Sequence, residues 1–320
     1  MTKDMTRDMT GERRESGAPG WLTPEAVAVI AEELGARPEE IGGVSALSRG
    51  MTNHSFLFSC RGRKYIARVP GEGTARLINR RQEAEVYRAI AGRGFCDDPV
   101  CIDPENGYKV TPFLEGARTC NPSDPQDLRR CMAALRRLHD MRLTVGHSFD
   151  IFERIEFYET LWDGAPSLHE DYRETKAGVL ALRGYIDACA GERCLAHIDA
   201  VPDNFLFFPD QSGGEGLHLI DWEYAGMQDP HVDIAMFCIY SLYDRRQADG
   251  LIDIYFGGRC DERTRIKIYC YIAACGLLWS NWCEYKKNLG VEFGEYEMRQ
   301  YRFARDYCEI VRRHGEGDAR

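Results

Sequence analysis

The chain has 320 residues, with 51 acidic against 41 basic side chains, a formal net charge of −10, 44% hydrophobic and 29% charged residues. That is long enough for two lobes with buried cores and ordinary for a soluble globular protein. The acidic balance argues against a broad grip on nucleic acid or anionic lipid, and no run approaches the ~18 consecutive apolar residues of a membrane span.

The opening stretch, MTKDMTRDMTGERRESGAPG, is charged from its third residue and has no apolar centre. It reads as a disordered tail over 1–20 and not as a secretory signal. The thirteen cysteines then fit reduced thiols of a cytoplasmic protein; they show no C-x-x-C and no Cys/His alternation at zinc spacing. Thr23-Pro24-Glu25 supplies a capping hydroxyl, a proline at the first helical position and an acid near the positive dipole end, so a helix starts there. From residue 43 to 69 the texture is β-like: Ser55-Phe56-Leu57-Phe58 and Tyr65-Ile66-Ala67-Arg68-Val69 flank a turn at Gly62 and predict a hairpin. Arg76 to Ala91 is helical, with Leu77, Ala84, Val86, Tyr87 and Ile90 mostly on one side. Short strands are expected around 99–103 and 108–114, the second running into Phe113-Leu114-Glu115-Gly116, where the glycine is the expected hinge. Helices are predicted beyond it over 124–140, 151–162, 170–190, 229–242, 244–256, 261–287 and 295–314. The expected division is therefore a tail over 1–20, a β-rich lobe over 21–115 and a mainly helical lobe over 116–320.

One irregular region, 194–226, carries most of the chemistry. His197-Ile198-Asp199-Ala200-Val201-Pro202-Asp203-Asn204 leads into the apolar run Phe205-Leu206-Phe207-Phe208. A turn rich in Gly and Asp follows, then Leu217-His218-Leu219-Ile220-Asp221-Trp222-Glu223. Pairing of the two apolar runs places a polar loop beside Asp221. Phosphoryl transfer needs such a set: one carboxylate to orient and accept the proton of an attacking hydroxyl, and hard oxygen ligands for Mg²⁺. Asn204 and Asp221 suffice as protein ligands, and Asp199 lies five residues before Asn204. A metal hydrolase built on His197, Asp199 and Asp221 would want further histidines at ligand spacing, which His218 and His231 do not provide.

This segment resembles the catalytic loop and metal-binding motif of the choline/ethanolamine kinase family, bacterial choline kinase type, within the aminoglycoside phosphotransferase and protein-kinase-like superfamily. The resemblance spans residues 40–310 and implies an α+β, protein-kinase-like bilobal fold with a β-rich N-lobe and a mainly helical C-lobe. It implies ATP and Mg²⁺ as cofactors, Asp199 as catalytic base, Asn204 and Asp221 as metal ligands, and His197 as a brace of the loop. Asp229-Pro230-His231-Val232-Asp233-Ile234-Ala235 is similar to the family's helix after the metal motif, where Asp233 fixes the catalytic loop by hydrogen bonds. In the first lobe, Gly50-Met51-Thr52-Asn53 resembles the phosphate loop, with Gly50 admitting phosphates to the backbone and Thr52 and Asn53 donating to them. Arg68 stands at the family's strand-lysine place and Glu83 at its helix-acid place; adenine is expected against the Pro112 carbonyl and the Leu114 N–H.

Trp279 and Trp282 are three apart and share a helix face. With nearby tyrosines they can box a quaternary ammonium, an attraction of up to ~2 kcal/mol when desolvated; the same spacing also suits a plain core face. Leu278-Trp279-Ser280 followed by Phe293-Gly294-Glu295-Tyr296 is similar to the choline-pocket region of choline kinases. Where eukaryotic members carry an acid, this chain has Tyr240. The resemblance thus implies a small-molecule acceptor, choline, met by Tyr240, Trp279, Trp282 and Tyr296 plus an acid such as Glu223 or Asp244. Ethanolamine, thiamine or an aminoglycoside are alternative acceptors, and a nucleotide-binding pseudokinase is the alternative without turnover.

Overall fold

The computed structural model describes residues 22–47, 53–71, 73–189, 191–210 and 212–318. The expectations at Gly50 and Thr52 lie outside these residues. Helix α1 (Pro24–Glu33) begins where the sequence signals it: Thr23 is extended and its hydroxyl accepts from the Ala26 N–H. Strands β1 (Ile41–Leu47), β2 (Asn53–Cys60) and β3 (Arg63–Pro70) follow, then α2 (Arg80–Ile90), β4 (Cys101–Ile102), β5 (Lys109–Pro112) and β6 (Arg118–Thr119). Next come α3 (Pro125–Asp140), α4 (Ile151–Thr160), α5 (Tyr172–Ala181), α6 (Arg183–Ala188), β7 (Cys194–Ala196), β8 (Phe205–Pro209), β9 (Glu215–Leu219) and β10 (Gly226–Gln228). Helices α7 (Val232–Tyr240), α8 (Arg245–Phe256), α9 (Glu262–Asn288) and α10 (Glu295–Asp318) close the chain.

The chain forms two compact units. The first holds the residues up to Cys120 together with Asp203–Tyr224. Its main sheet has the order β1-β2-β3-β5-β4, antiparallel throughout. The β2–β3 turn has positive φ at Arg61 and Gly62, the conformation whose twist matches a tight hairpin. Along β2, Phe56, Phe58 and Cys60 alternate inward and pack with Ala67, Val110, Ala26 and Ile30, so α1 seals one face of the sheet. The β8–β9 hairpin, distant in sequence, counts with this unit because β6 pairs with β8 and the Leu219 N–H bonds the Phe95 carbonyl at 2.6 Å.

The second unit holds Asn121–Pro202 and the described residues from Ala225 on. It is built around α9, buried on nearly every side from Ile266 to Lys286, with buried polar members such as Asn281 and Glu284 hydrogen-bonded to neighbouring segments. Gly276 lets α10 approach closely: a Cβ there would lie 2.8 Å from the Gln300 carbonyl oxygen. The predicted single helix over 170–190 is two helices, α5 and α6, broken at Leu182, with helix-weakening Gly178 and Gly184 on either side. No helix of the described residues is long and apolar enough to cross a membrane.

Candidate active site

In the first unit, Arg68 on β3 is the centre of a buried ionic cluster. Its side chain is 6% exposed and forks onto Glu83 of α2, NH1 to Oε1 at 2.6 Å and NH2 to Oε2 at 2.8 Å. The same NH1 lies 3.3 Å from Asp221 Oδ1 and 3.5 Å from Glu223 Oε2. Bidentate geometry of this kind holds a guanidinium in one orientation. A second cation, Arg80, stands beside it: NH1 is 2.9 Å from both Glu83 Oε2 and Glu223 Oε2, and NH2 donates to Asn53 Oδ1 at 2.7 Å. Two guanidiniums therefore face three carboxylates.

The electrostatics follow from that count. Burial disfavours the Arg68 charge, but Glu83, Glu223 and Asp221 outweigh it and hold its pKa above the ordinary arginine value. Burial also pushes the Glu83 carboxyl up, yet Arg68, Lys109 and Arg80 more than offset this and keep it well below the usual range. For Glu223 the balance reverses: burial first and Asp221 second raise it to about 7 against the pull of Arg68 and Arg80.

The β8–β9 register places Asn204 and Asp221 at one end of the hairpin. Phe205 pairs with Leu219, and the Ile220 N–H donates to the Asn204 carbonyl at 2.9 Å. The Trp222 indole, fully buried, bonds the Leu219 carbonyl at 2.8 Å and fixes the strand end. Asp221 itself has φ +66°, a left-handed conformation that costs most non-glycine residues about 1 kcal/mol and that aspartate and asparagine tolerate best among them. Carboxylate oxygens of Glu83, Asp221 and Glu223 lie within 4.8 Å of one another. Asp221 is the one with an outward side, its side chain 34% exposed against 0% and 2% for the other two. An all-oxygen donor set with one outward carboxylate fits Mg²⁺, which keeps most of its shell for water and phosphate.

Asn53, expected to donate to phosphate, spends its amide otherwise: Nδ2 donates to Glu223 Oε2 at 2.8 Å while Oδ1 takes the Arg80 proton. Glu223, expected beside a substrate cation, has its carboxylate taken by Asn53 and Arg80; Asp244, the other acid considered, caps α8 by accepting from the Gln247 N–H. At the expected adenine edge, Pro112 ends β5 opposite Tyr65, and the Leu114 carbonyl accepts from the Ala117 N–H.

The second unit carries the loop after β7, where β7 pairs with β10. Asp233 on α7 is fully buried, and its carboxylate accepts three N–H groups: His197 backbone at 2.9 Å, Ile198 backbone at 2.8 Å and His139 Nε2 at 2.9 Å. With Nε2 donating, His139 Nδ1 accepts from the Tyr255 hydroxyl at 2.8 Å. Ile198 has φ +69°, a rare state for a β-branched residue, and its buried side chain and the Asp233 bond hold it there. Asp199 follows half-buried, its carbonyl accepting from the Val201 N–H at 2.8 Å. Truncating Asp233 to Ala orphans three buried donors, so a loss of about 3 kcal/mol or more is expected, read as a lowered thermal midpoint. A melting curve unchanged from wild type would remove Asp233 as the loop's anchor.

An aromatic cluster lies in the same unit. Trp279 and Trp282 on α9 are 5.9 Å apart between ring centroids, Phe293 is 5.4 Å from Trp282, Tyr296 is 6.5 Å from Phe293, and Tyr240 meets Tyr296 edge-on at 6.1 Å. The two indoles are buried, and Tyr240, Phe293 and Tyr296 are half-buried. The Lys286 ammonium already lies 5.8 Å from the Trp282 centroid.

Sequence reasoning gave no role to Arg80, His139 or the buried Lys267–Asp229 pair at 2.6 Å. Arg80 had a signal: it opens α2, where the helix dipole favours an acid over a cation. His139 and Lys267 had none, being ordinary last-turn and early-helix residues.

A five-stranded antiparallel sheet with an arginine–glutamate bridge to its helix in one unit, and an aspartate-braced loop in a helical second unit, are the parts of a protein-kinase-like fold and of a phosphotransferase. The phosphotransferase enzyme family matches residues 43–269, and the chain belongs to that family. Protein LicA of Haemophilus influenzae is 28% identical over 272 residues, covering 78% of this chain and 96% of its own. Among solved structures, the choline kinase LicA of Streptococcus pneumoniae is similar with a TM-score of 0.76 and 27% identity, over 89% of this chain and 98% of its own. A choline/ethanolamine kinase family protein of Mesorhizobium loti is similar with a TM-score of 0.69 and 26% identity, over 88% and 93%.

Proposed function

We propose that the chain transfers the γ-phosphate of ATP to the hydroxyl of choline, giving phosphocholine and ADP. Asp199 orients the hydroxyl and accepts its proton as the new O–P bond forms and the bond from Pγ to the ADP oxygen breaks. Arg68, locked by Glu83, meets the nucleotide phosphates, and the Pro112 carbonyl and Leu114 N–H pair with adenine. Asn204 and Asp221 would hold Mg²⁺, which when bound would supply neutralising charge to the phosphates. Asp233 fixes the loop that carries Asp199, and His197 braces it.

The observation that carries the acceptor is the aromatic cluster of Tyr240, Trp279, Trp282, Phe293 and Tyr296. A trimethylammonium head has no hydrogen to donate, so a site selective for it presents π-faces; ethanolamine carries three donors and prefers carboxylates and carbonyls. The likeness to the choline kinase LicA supports the same acceptor. In a coupled assay of ADP release against choline, ethanolamine, thiamine and an aminoglycoside panel, choline is expected to lead ethanolamine by at least roughly tenfold in kcat/KM, which needs ~1.4 kcal/mol of differential binding. Trp282→Ala is expected to erode that preference mainly through KM. Equal turnover of ethanolamine, or an unchanged KM for choline in the variant, makes the tryptophans core residues and leaves the acceptor open.

A further inference from the structure

We propose that Arg80 is a positioning residue of the nucleotide site, setting the place of Arg68 by holding Glu223 and Asn53. The inference rests on the ATP reading above and adds a residue to it. Three observations carry it.

The first is the charge count. Glu223 is sealed, with 2% of its side chain exposed, and Arg80 is its nearest cation at 2.9 Å, while Arg68 lies farther off at 3.5 Å. Without Arg80 the whole demand of Glu223 falls on Arg68, which is already forked onto Glu83. The nearest remaining guanidinium to the vacated Glu223 oxygen is Arg68 NH1 at 3.5 Å, and a buried acceptor that has lost its donor favours a new one within reach. Arg68 NH1 would then swing from Glu83 Oε1 and Asp221 Oδ1 towards Glu223, away from the orientation in which it can meet phosphate.

The second is connectivity. Arg80 reaches three residues on three segments: Glu83 on its own helix, Glu223 after β9, and Asn53 at the start of β2. Asn53 closes the ring by donating to the same Glu223 oxygen that Arg80 NH1 occupies.

The third is the room made for the side chain. Gly107, at φ +73°, lies over Arg80: a Cβ there would come within 2.9 Å of Arg80 Nε and 2.8 Å of the Pro70 ring. The stem of Arg80 therefore runs through a slot open only to a glycine. A cation at the first position of α2 also works against the helix dipole, so its place there is maintained by these partners and not by helix propensity.

The experiment measures the Kd for Mg·ATP by calorimetry without acceptor, beside steady-state kinetics with choline. Arg80→Gln is expected to weaken Mg·ATP at least tenfold while the KM for choline stays within about twofold. Arg80→Lys keeps the charge but cannot fork to Asn53 and Glu223 together, so it is expected to fall between wild type and Gln. The double variant Arg80→Gln with Glu223→Gln removes the imbalance and is expected to regain most of the lost affinity, a non-additivity that general loosening of the fold would not produce. Should Arg80→Gln fail to fold, Arg80→Lys alone decides, and wild-type affinity in it overturns the proposal. Wild-type affinity in Arg80→Gln, strictly additive losses in the double variant, or no Mg·ATP binding by the wild-type protein also overturn it. Mg·ATP binding that depends on Arg80, with no acceptor phosphorylated, leaves this inference standing and sinks the reading of the reaction.

Discussion

Asp221→Ala is expected to abolish phosphotransfer at any ordinary Mg²⁺ concentration, a loss of about 10³ or more in kcat/KM. Of the three clustered carboxylates, Glu83 and Glu223 are sealed by arginines, so neither can replace the outward oxygen of Asp221. The neutral amide of Asn204 cannot hold the ion on the phosphates by itself. The substitution also frees Arg68 NH1 from its 3.3 Å contact with Asp221. Because residue 221 sits at φ +66°, alanine adds a strain of about 1 kcal/mol that asparagine, which tolerates this region, largely avoids. Asp221→Asn is therefore the control that separates lost charge from a bent backbone, and it is expected to be nearly as inactive. Titrating Mg²⁺ into both variants is the measurement. Full recovery in excess Mg²⁺ would reduce Asp221 to an affinity role.

Asp199→Asn is expected to leave nucleotide affinity within a few-fold of wild type and to lower kcat by about 10² or more. The exchange leaves the bonds from His197 and Ile198 to Asp233 untouched, since they use backbone N–H groups. Loop geometry is thus kept and the proton acceptor alone is lost. Single-turnover measurements at saturating ATP and choline report the chemical step directly. An unchanged rate removes Asp199 from the mechanism.

The elements were legible wherever local chemistry decides them. Thr23 and Pro24 start α1, Gly62 closes the β2–β3 hairpin, and the predicted helix over 124–140 is α3 at Pro125–Asp140, capped by Asp124. The hairpin of the apolar runs beginning at Phe205 and Leu217 was equally plain from pattern. What pattern could not supply was closure at a distance. Arg80 and Glu223 are separated by 143 positions, and His139 and Asp233 by 94, so no spacing rule joins them. The commitment of Asn53 to Glu223 had the same cause: a donor assigned from its neighbours in sequence was claimed by a partner 170 positions away. The break at Leu182 was missed because its backbone remains right-handed helical, and no proline or cap marks it.

The hairpin that completes the first unit has a consequence for biosynthesis. A ribosome delivers Arg68, Arg80 and Glu83 early, but Asp221 and Glu223 emerge only after residues 121–202 have been made. Until then two guanidiniums have one carboxylate between them, and sealing both away from water would strand a positive charge. β6 meanwhile has no β8 to pair with. The nascent sheet is therefore expected to keep its arginines hydrated until Asp221 and Glu223 have been translated. No contiguous stretch of the gene encodes that unit, and a fragment ending at Cys120 is expected to be kept from folding by its own unbalanced cations.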